Sequence, residues 1–579
     1  MKKQASVKEL KAKIISPARH MVVLAMMLSV GGFLSYRALD IQVLDNDFLQ
    51  KQGDARHLRT INLPAHRGML LDRNGEVLAV SSPVATVWAN PQAVPLNDPR
   101  LDQLSDLIDV SVRNIKAAVN QKQSREFVYL QRHLNPHLGE DVKKLNIPGI
   151  SLVREFHRYY PTGEVSAHVL GFTDIDDQGI EGMELQFNNA LKGIQGKDKV
   201  VKDRKGHIID SVDLLESPQP GQNIHVSIDK RLQYIAYREL KKQVQAHSAK
   251  TGSLVLLDVH SGEVLAMVNE PAYNPNNREG STQKVMRNRA LTDLLEPGST
   301  IKPFIAAAAL MSRQFSAHTP VQTSPGYMRV GRNTIRDVHN YGDLDLSGVI
   351  KKSSNVGISK VALALPKEML WEVLSDMGFG EISNSHFPGE VQGVLPFFGE
   401  WNEFQQATLS FGYGISVTPV QLAQAYAMLA NGGVLKPVSL LKLDAEPQGK
   451  QAIPEDVAQD VMHMMESVVS REGTAVQAAI PGYRVAGKTG TIKKLDKING
   501  GYMAKNYYAL FAGVVPASEP RLAAVVVIDD PTENGYYGGT VAAPVFSRVL
   551  SEALRLMDIP PDDIKQAPVR VAQLQGATQ

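Results

Sequence analysis

The sequence of 579 residues contains no cysteine, and this absence excludes disulfide bonds, thiol nucleophiles and cysteine-ligated metal sites. Neither sign of charge is in clear excess, because the chain has 62 basic and 60 acidic residues. We therefore expect no nucleic-acid partner, since proteins that bind nucleic acid usually carry a clear basic excess. The sequence has no His-Glu-x-x-His motif and no close group of histidines and carboxylates, so we expect neither a metal ion nor a cofactor.

Long apolar runs are also scarce, with one exception near the N-terminus. Residues 21–39 are apolar or small apart from Arg37. About 19 helical residues, at about 1.5 Å each, span roughly one bilayer core, so we interpret this run as a transmembrane anchor. Basic residues dominate residues 1–20, and the positive-inside rule therefore places this tail in the cytoplasm. A cleaved signal peptide is the alternative, but its cleavage site at Ser29-Val-Gly31 would leave a very short apolar run.

The chain beyond the anchor divides into two regions of different composition. Residues 40–220 begin as a charged stem and continue as short strands and helices with many Gly and Pro; we interpret them as a stem and pedestal domain. Within this region Asn74-Gly75 predicts a β-hairpin whose two turn residues both have positive φ. Residues 221–558 predict a second domain, with strands at both ends of one sheet and a long helical insertion between them. The polar residues 559–579 predict a flexible C-terminal tail.

A serine and a lysine stand three residues apart in the sequence EPGSTIKPF, just before an apolar run. Residues i and i+3 are neighbours on a helix, and a helix N-terminus supplies unpaired N–H groups and a positive dipole end. Ser299 and Lys302 could therefore form an activated nucleophile. Ser299 could equally cap the helix beside a solvated lysine. Ser-x-x-Lys occurs three times in this chain, so the pair alone is weak evidence.

Two further motifs follow this pair in order. Ser353-Ser-Asn355 is the only Ser-x-Asn sequence, and Lys488-Thr-Gly-Thr491 precedes two apolar segments that predict buried strands. Ser-x-x-Lys, Ser-x-Asn and Lys-Thr-Gly are an active-site set of serine enzymes that react with penicillin. The competing motifs do not fit this order and receive no role: they are Ser281/Lys284, Ser439/Lys442 and the earlier Lys250-Thr-Gly.

Around these motifs the sequence resembles the transpeptidase domain of the class B penicillin-binding proteins, in the segments GSTIKPF, SSNVGISK, FGYGISVTPVQLAQAYA and VAGKTGT. The earlier segments HRGMLLDRNGEVLAV, RYYPTGEVSAHVLGF and GIEGMELQFN resemble the pedestal of the same class, so the resemblance spans roughly residues 60–555. Within the class, SSNVGISK resembles the division-specific branch, because elongation-specific relatives typically have Asp where Asn355 stands. The resemblance implies an α+β fold with a single N-terminal transmembrane helix, an elongated pedestal domain and a penicillin-binding transpeptidase domain. The last of these would contain a mainly antiparallel five-stranded sheet flanked by helices.

The same resemblance implies a peptidoglycan D,D-transpeptidase that cross-links stem peptides of the septal wall through a serine acyl-enzyme. Ser299 would attack the carbonyl between two D-alanines, and Lys302 would take its proton if its amine is neutral. Ser353 would relay the proton to the leaving amine, Asn355 would bind the substrate amide, and Lys488 would supply positive charge. Substrate-binding roles are implied for Thr489, Gly490 and Thr491, and for the aromatic residues Tyr413, Tyr507, Tyr536 and Tyr537. Core packing is the alternative for the last three tyrosines.

Partners and location also follow from the resemblance. The implied partners are stem peptides ending in D-Ala-D-Ala, β-lactams, and a membrane-embedded septal glycosyltransferase with other division proteins. The implied location is the bacterial inner membrane, with the catalytic domain in the periplasm. Two alternatives stay open: a non-catalytic division scaffold or β-lactam sensor with the same fold, and a hydrolase that shares the acylation step. The deacylating glutamate motif of class A β-lactamases and the glutamate motif of glycosyltransferase domains are both missing, so we expect slow hydrolysis and no polymerase activity.

Overall fold

The structure, a computed structural model, describes residues 17–44, 58–202, 208–496 and 500–563. Its contacts divide the chain into two compact units. Unit 1 consists of Met1–Ala65, Ala85–Val153 and Ile194–Gln219, and unit 2 consists of His66–Val84, Arg154–Gly193 and Pro220–Gln579. Two segments of the predicted pedestal, 66–84 and 154–193, are thus grouped with unit 2. The domain boundary near residue 220 stays a prediction.

The strands are β1 (Leu58–Leu63), β2 (Leu70–Leu71), β3 (Val77–Ala89), β4 (Val128–Leu134), β5 (Ile150–Tyr159), β6 (Gly196–Lys202), β7 (Ile208–Glu216), β8 (Ile224–His225), β9 (Thr251–Asp258), β10 (Val264–Glu270), β11 (Pro320–Gln322), β12 (Tyr327–Val330), β13 (Asn333–Arg336), β14 (Asp343–Asp345), β15 (Val434–Leu435), β16 (Lys450–Gln451), β17 (Ala486–Leu495), β18 (Tyr502–Val515) and β19 (Leu522–Asp529).

The α-helices are α1 (Pro17–Leu39), α2 (Arg100–Ile108), α3 (Val112–Gln121), α4 (Pro136–Lys144), α5 (Ala167–Leu170), α6 (Gly182–Gln186), α7 (Asn188–Leu191), α8 (Lys230–Ala246), α9 (Gln283–Met286), α10 (Arg289–Thr292), α11 (Lys302–Met311), α12 (Leu346–Lys352), α13 (Asn355–Leu363), α14 (Lys367–Asp376), α15 (Glu403–Leu409), α16 (Pro419–Ala430), α17 (Glu455–Val468), α18 (Gly538–Val541) and α19 (Ala543–Leu556).

The N-terminal apolar run forms the helix α1, which begins at Pro17, four residues before the predicted anchor. A π-helical turn, Asp40–Leu44, follows it. The continuous segment Pro17–Val43 is long and apolar enough to cross a membrane, and within the described part of the chain it is the only such helix. The rest of the predicted cytoplasmic tail, 1–16, and most of the predicted stem, 45–57, lie outside the described residues.

Unit 1 contains a small apolar core and an antiparallel sheet. The sheet has the order β1-β6-β7, with Leu58 opposite Val201. The helices α2, α3 and α4 supply amphipathic faces, and Ser111 caps α3 by accepting a hydrogen bond from the N–H of Asn114. These faces and the second half of β3 form the core, whose buried members are Val87, Ala89, Val94, Leu101, Leu104, Ile108, Ile115, Val119, Leu134, Val142 and Ile147.

The predicted hairpin at Asn74-Gly75 forms in unit 2, where β2 pairs with the first half of β3. Only Gly75 has a positive φ, 88°, so the expectation of two such residues was wrong. The reason is the carboxylate of Asp72, which accepts hydrogen bonds from the N–H groups of Asn74 (2.7 Å) and Glu76 (2.9 Å). An aspartate that closes the turn in this way lets the asparagine keep an ordinary backbone conformation.

The main sheet of unit 2 has five antiparallel strands in the order β10-β9-β19-β18-β17. This confirms the predicted five-stranded sheet, whose strands come from both ends of the region. The central strands β9 and β19 are continuous apolar runs because helices cover both faces. A Cβ at Gly252 would contact Leu240 of α8, whereas Leu257, on the opposite face of β9, lies beside α16. The strand β17 forms one end of the sheet.

The helical insertion between β10 and β17 contains α9 to α17 and three two-stranded sheets, β11-β14, β12-β13 and β15-β16. The predicted C-terminal tail, 559–579, is described only as far as residue 563. Ile559 is 7% exposed, and the carboxylate of Asp562 accepts hydrogen bonds from Arg484 and Ser518, so residues 559–563 are held against unit 2. Residues 564–579 lie outside the described part of the chain.

Candidate active site

Ser299 lies in a short 3-10 turn, Gly298–Ile301, that leads directly into α11 at Lys302. Gly298 has a φ of 54°, and a Cβ there would lie 2.2 Å from Ile492 of β17, so glycine allows the turn to approach the strand. The hydroxyl of the buried Tyr426 donates to the carbonyl of Thr300 at 2.9 Å and fixes the turn from behind. Ser299 lines a cavity of about 690 Å³.

The side chain of Lys302 is completely buried beneath that cavity. Its Nζ lies 2.6 Å from the carbonyl oxygen of Ser353, 3.2 Å from the Ser353 hydroxyl and 2.8 Å from Oδ1 of Asn355. Two of these partners can only accept a hydrogen bond, and the third is a hydroxyl that can also donate. Both forms of the amine fit these partners: an ammonium donates to all three, and a neutral amine donates to the two carbonyl groups and can accept from the hydroxyl.

The Ser-x-Asn motif forms the turn between α12 and α13. Ser353 has a φ of 60°, a left-handed conformation that costs a non-glycine residue about 1–3 kcal/mol and is typical of functional sites. Ser354 caps α13 by accepting a hydrogen bond from the N–H of Gly357 at 2.8 Å. Asn355, the first residue of α13, points its side-chain carbonyl at Lys302. The strained turn thus presents Ser353 and Asn355 to the same amine.

The electrostatic environment of this site disfavours charge on both buried lysines. Burial is the main cause that lowers the pKa of Lys302 well below its usual range, and the charge of Lys488 lowers it further, while Asp337 has the opposite effect. Burial also lowers the pKa of Lys488 to about 7. Both side chains are 0% exposed. A lysine held in this way can be a base near neutral pH.

The Lys-Thr-Gly motif lies on β17. The hydroxyl of Thr489 is 3.0 Å from the hydroxyl of Thr474, and the hydroxyl of Thr491 accepts a hydrogen bond from the N–H of Gly538 at 3.0 Å. Thr489 and Thr491 are two residues apart, so their side chains lie on the same face of the strand, and both line the cavity. A Cβ at Gly490 would lie 3.2 Å from the carbonyl oxygen of Pro297, so this position also brings the strand close to the Ser299 turn.

Three predicted tyrosines form one stacked wall of the cavity. The ring of Tyr536 lies 4.4 Å from that of Tyr507 and 4.5 Å from that of Tyr537, with interplanar angles of 18° and 27°. Tyr537 is 53% exposed, so this residue does not pack in the core. Tyr413 lines the cavity as well and makes an edge contact with Tyr502, at 5.0 Å between ring centres.

Of the twelve residues predicted for the site, nine line the cavity, and Lys302, Lys488 and Gly490 lie outside its lining. None of Ser281, Ser439 and Lys250 lines it. The sequence reasoning missed other residues of the cavity wall, namely Val338, His339, Tyr341, Lys352, Thr474, Val476, Gln477, Lys493, Gly539 and Thr540. No motif marks these positions; they are brought to the site by folding of the insertion and of the segment after α17.

A half-buried carboxylate, Glu296, connects three segments beside the nucleophile turn. It accepts hydrogen bonds from the N–H of Gly414 (2.8 Å) and from the hydroxyl of Tyr502 (3.0 Å). Burial raises the pKa of Glu296, and these two hydrogen bonds oppose that rise. Glu296 thus ties the turn that carries Tyr413 and the start of β18 to the residues directly before Ser299.

The described residues contain no group of three or more histidine, aspartate or glutamate side chains that could hold a metal ion. The side chains at and behind this cavity offer a serine hydroxyl, two buried amines, an amide and threonine hydroxyls. Such a set can perform nucleophilic attack on a carbonyl with proton transfer to a nearby amine.

Comparison with known proteins identifies the family. The model of the penicillin binding protein transpeptidase domain matches residues 252–551, more than half of the chain, and that of the penicillin-binding protein dimerisation domain matches residues 62–226. Peptidoglycan D,D-transpeptidase FtsI of Escherichia coli strain K12 is 45% identical over 536 residues, which cover 92% of this chain and 90% of that protein.

Solved structures agree with this assignment. The transpeptidase domain of penicillin-binding protein 3 from Burkholderia pseudomallei is 40% identical, with a TM-score of 0.54, over 58% of this chain and 97% of that one. A peptidoglycan synthetase from Bifidobacterium adolescentis is 23% identical and shares the fold, with a TM-score of 0.68, over 87% of this chain and 97% of that one. The chain therefore belongs to the class B penicillin-binding proteins.

Proposed function

We propose that this protein is a peptidoglycan D,D-transpeptidase that cross-links stem peptides of the septal wall during cell division, through an acyl-enzyme on Ser299. The observation that carries the proposal is the arrangement at the cavity. Ser299 faces it from the start of α11, the Ser353–Asn355 turn and β17 form its sides, and two buried lysines lie outside its lining. The names of the relatives support the reaction class.

The substrate is a stem peptide that ends in D-Ala-D-Ala, and β-lactams bind at the same place. The strand β17 is the last strand of its sheet, so its outer side can receive an extended peptide as an additional strand. Thr489 and Thr491 then bind the terminal carboxylate with their hydroxyls, and Lys488 adds favourable charge from within the fold. Tyr413, Tyr507, Tyr536 and Tyr537 provide apolar surface for the rest of the substrate.

Acylation transfers one proton and exchanges one bond. Lys302 takes the hydroxyl proton of Ser299 as the serine oxygen bonds to the carbonyl carbon between the two D-alanines. Backbone N–H groups of Ser299 and Thr491 stabilise the oxyanion, a contribution of about 3 kcal/mol for each donor. The carbon–nitrogen bond then breaks, and the leaving D-alanine receives the proton from Lys302 through the hydroxyl of Ser353.

Transpeptidation reverses these steps with a different amine. The amine of a second stem peptide attacks the ester on Ser299, and its proton passes through Ser353 to Lys302 and back to the serine oxygen. The products are a cross-linked peptide and free enzyme, so atoms and protons balance. Asn355 binds the substrate amide through its side chain while its carbonyl keeps Lys302 in place.

The proposed placement in the cell follows from the anchor. The protein is a single-pass protein of the inner membrane, and we place residues 1–20 in the cytoplasm and the catalytic unit in the periplasm. We retain the domain boundaries given by the sequence: a tail (1–20), an anchor (21–39), a stem and pedestal (40–220) and a transpeptidase domain (221–558). A membrane-embedded septal glycosyltransferase and other division proteins are the proposed partners, because a cross-linking enzyme needs newly polymerised strands.

The proposal is tested by intact-mass measurement of the detergent-solubilised protein with a penicillin. We expect one penicilloyl addition, which is absent in Ser299→Ala and present in the matched variants Ser281→Ala and Ser439→Ala. The adduct should persist for many minutes, because no deacylating glutamate motif follows Asn355 and the leaving group stays tethered in the ester. An adduct on Ser281 or Ser439 would overturn the assignment of the nucleophile, and return to the free mass within seconds would indicate a β-lactamase.

A further inference from the structure

A carboxylate outside the three motifs holds the Ser353–Asn355 turn. Asp337 follows β13 and accepts hydrogen bonds from the hydroxyl of Ser354 (2.5 Å), the N–H of Asn355 (2.5 Å) and the N–H of Val356 (3.0 Å). It is therefore anchored on the free N–H groups at the start of α13, where a negative charge is stabilising. These three contacts join the hairpin β12-β13 to the catalytic turn.

The same hairpin also determines which way the amide of Asn355 points. Its Nδ2 donates to the carbonyl oxygen of Arg336 at 3.2 Å, and its Oδ1 therefore faces Nζ of Lys302 at 2.8 Å. With the amide reversed, Oδ1 would face the carbonyl oxygen of Arg336, and both groups would be acceptors. The end of β13 thus orients the backbone of Asn355 through Asp337 and the side chain through Arg336.

A chain of direct contacts consequently runs from the hairpin to the amine. Asp337 holds Ser354 and Asn355, the turn holds Ser353 in its left-handed conformation, and Ser353 and Asn355 together hold Lys302. Hydrogen bonds link Asp337 to Asn355 and Asn355 to Lys302, whereas Ser353 is joined to Ser354 by the peptide bond. Displacement of a reacting group by about 1 Å can reduce a rate by about 10²-fold. Loss of the hydrogen bonds to Asp337 should therefore displace Lys302 and slow acylation.

The charge of Asp337 also acts on Lys302. The groups whose charges affect Lys302 are Lys488 on β17, which lowers its pKa, and Asp337, which raises it against the larger effect of burial. Three further basic groups line the cavity, namely Lys352 at the end of α12, Lys493 on β17 and His339 beyond Asp337, and so do five tyrosines: Tyr341, Tyr413, Tyr507, Tyr536 and Tyr537. Removal of the charge at Asp337 alone should therefore make Lys302 easier to deprotonate.

We propose that Asp337 is a positioning residue for acylation, which holds the Ser353–Asn355 turn against Lys302 from the β12-β13 hairpin. The inference rests on the proposed function, in which Lys302 accepts the proton of Ser299. It assigns a role to a residue outside the three motifs, and it makes the β12-β13 hairpin part of the active site. Asp337 itself touches neither the substrate nor the reacting atoms.

The test measures the second-order rate of acylation by a fluorescent penicillin, as a function of pH, on the full-length protein in detergent. Asp337→Ala removes the hydrogen bonds and should lose rate by about 10-fold to 10²-fold at every pH. Asp337→Asn keeps an oxygen that can accept from the two N–H groups, so it should recover most of that rate. The acidic limb of the pH–rate profile of Asp337→Asn should lie at lower pH than that of wild type, because the loss of negative charge lowers the pKa of Lys302.

Asp345 is the matched control. It caps the preceding helix α12 with one carboxylate oxygen, 2.7 Å from the N–H of Gly348, and lies at the opposite end of that helix from Ser353. Asp345→Ala should acylate within about twofold of wild type with an unmoved acidic limb, even if its melting temperature falls. Melting temperatures of all variants separate unfolding from slow chemistry, and Asp337→Asn provides the test if Asp337→Ala does not fold.

Three results would overturn the inference. The first is acylation of Asp337→Ala within about twofold of wild type. The second is an equal loss in Asp345→Ala, and the third is an Asp337→Asn profile with no shift of its acidic limb; both would reduce Asp337 to an ordinary helix cap. Wild-type protein that fails to acylate at all would instead refute the proposed function, and the inference with it.

Discussion

Two clusters of buried cations lie in unit 2 and differ in the groups that face them. In the arginine–glutamate cluster, Arg67 and Arg158 bind the two carboxylate oxygens of Glu184 at 2.7 Å and 2.6 Å. In the lysine pair, the partners that the described residues give to Lys302 and Lys488 are carbonyl and hydroxyl oxygens rather than carboxylates. All five side chains are at most 1% exposed.

The two clusters differ in the kind of cation as well as in the groups that face it. A guanidinium stays protonated in proteins, and here one carboxylate bridges two guanidinium groups, so the arginine–glutamate cluster is suited to holding segments together. It joins Arg67, next to β2, to Arg158 of β5 and Glu184 of α6. The lysine pair lacks such compensation, and an amine can respond to burial by releasing its proton. We therefore expect the first cluster to serve structure and the second to serve chemistry.

The largest effect that we expect, on replacing a lysine of the buried pair, is a loss of acylation rate. Lys302→Met should reduce the second-order rate of acylation by roughly 10²–10⁴-fold, the usual contribution of general base catalysis, while the protein remains folded. Lys488→Met should lose less, because Lys488 supplies charge and carboxylate binding. Acylation rates with a fluorescent penicillin and melting temperatures provide the measurement. A larger loss at Lys488 would show that the base is assigned to the wrong lysine.

The next effect is on stability. Glu184→Gln leaves two buried guanidinium groups without their carboxylate, and breaking such a cluster costs about 3–5 kcal/mol. We expect a clearly lower melting temperature and a normal acylation rate for the fraction that stays folded. Glu552→Gln is the control, because Glu552 and Arg555 form an exposed pair that contributes about 1 kcal/mol at most. Equal melting temperatures of the two variants would contradict the structural role of the arginine–glutamate cluster.

The smallest effect has the opposite sign. Lys488→Met should melt at a higher temperature than wild type at pH 7, because it removes a buried amine whose only recorded partner is a carbonyl oxygen at 3.4 Å. The pKa of Lys488 is about 7 in the folded protein, whereas an unfolded lysine has a pKa of about 10.4. Between these values the unfolded chain binds more protons, so wild-type stability rises with pH and the advantage of the variant should shrink. A variant less stable than wild type at pH 7 would refute this.

Much of the site could be predicted from the sequence because its motifs combine residue type with order along the chain. The three motifs and the surrounding resemblance named Ser299, Lys302, Ser353 and Asn355, and the structure places them in contact or around one cavity. Their specific roles stay predictions. The five-stranded sheet was expected from the resemblance, and the apolar segments of β9 and β19 predicted buried strands at both ends of the region.

Other features depend on contacts that sequence spacing does not reveal. Asp337 stands in the sequence RNTIRDVHN, which resembles any polar loop, and its role appears only when the hairpin folds back onto a turn 17 to 19 residues later. Glu296 likewise bonds to Tyr502, which is 206 residues away in the chain. The sequence placed Ile559 in a polar tail, but its side chain is buried in the hydrophobic core. In each case a tertiary contact overrides a weak local signal.

The stacked wall of Tyr507, Tyr536 and Tyr537 has a practical consequence for observing the protein. Stacked phenol rings share an optical environment, so a ligand that enters the cavity should alter the near-ultraviolet absorption of these tyrosines. The three tryptophans of the chain, Trp88, Trp371 and Trp401, are all absent from the cavity wall, and their fluorescence instead reports on the packing of the fold. The protein therefore carries two intrinsic chromophore sets, one sensitive to occupancy and the other to unfolding. Binding and denaturation could be followed in the same cuvette without an added label.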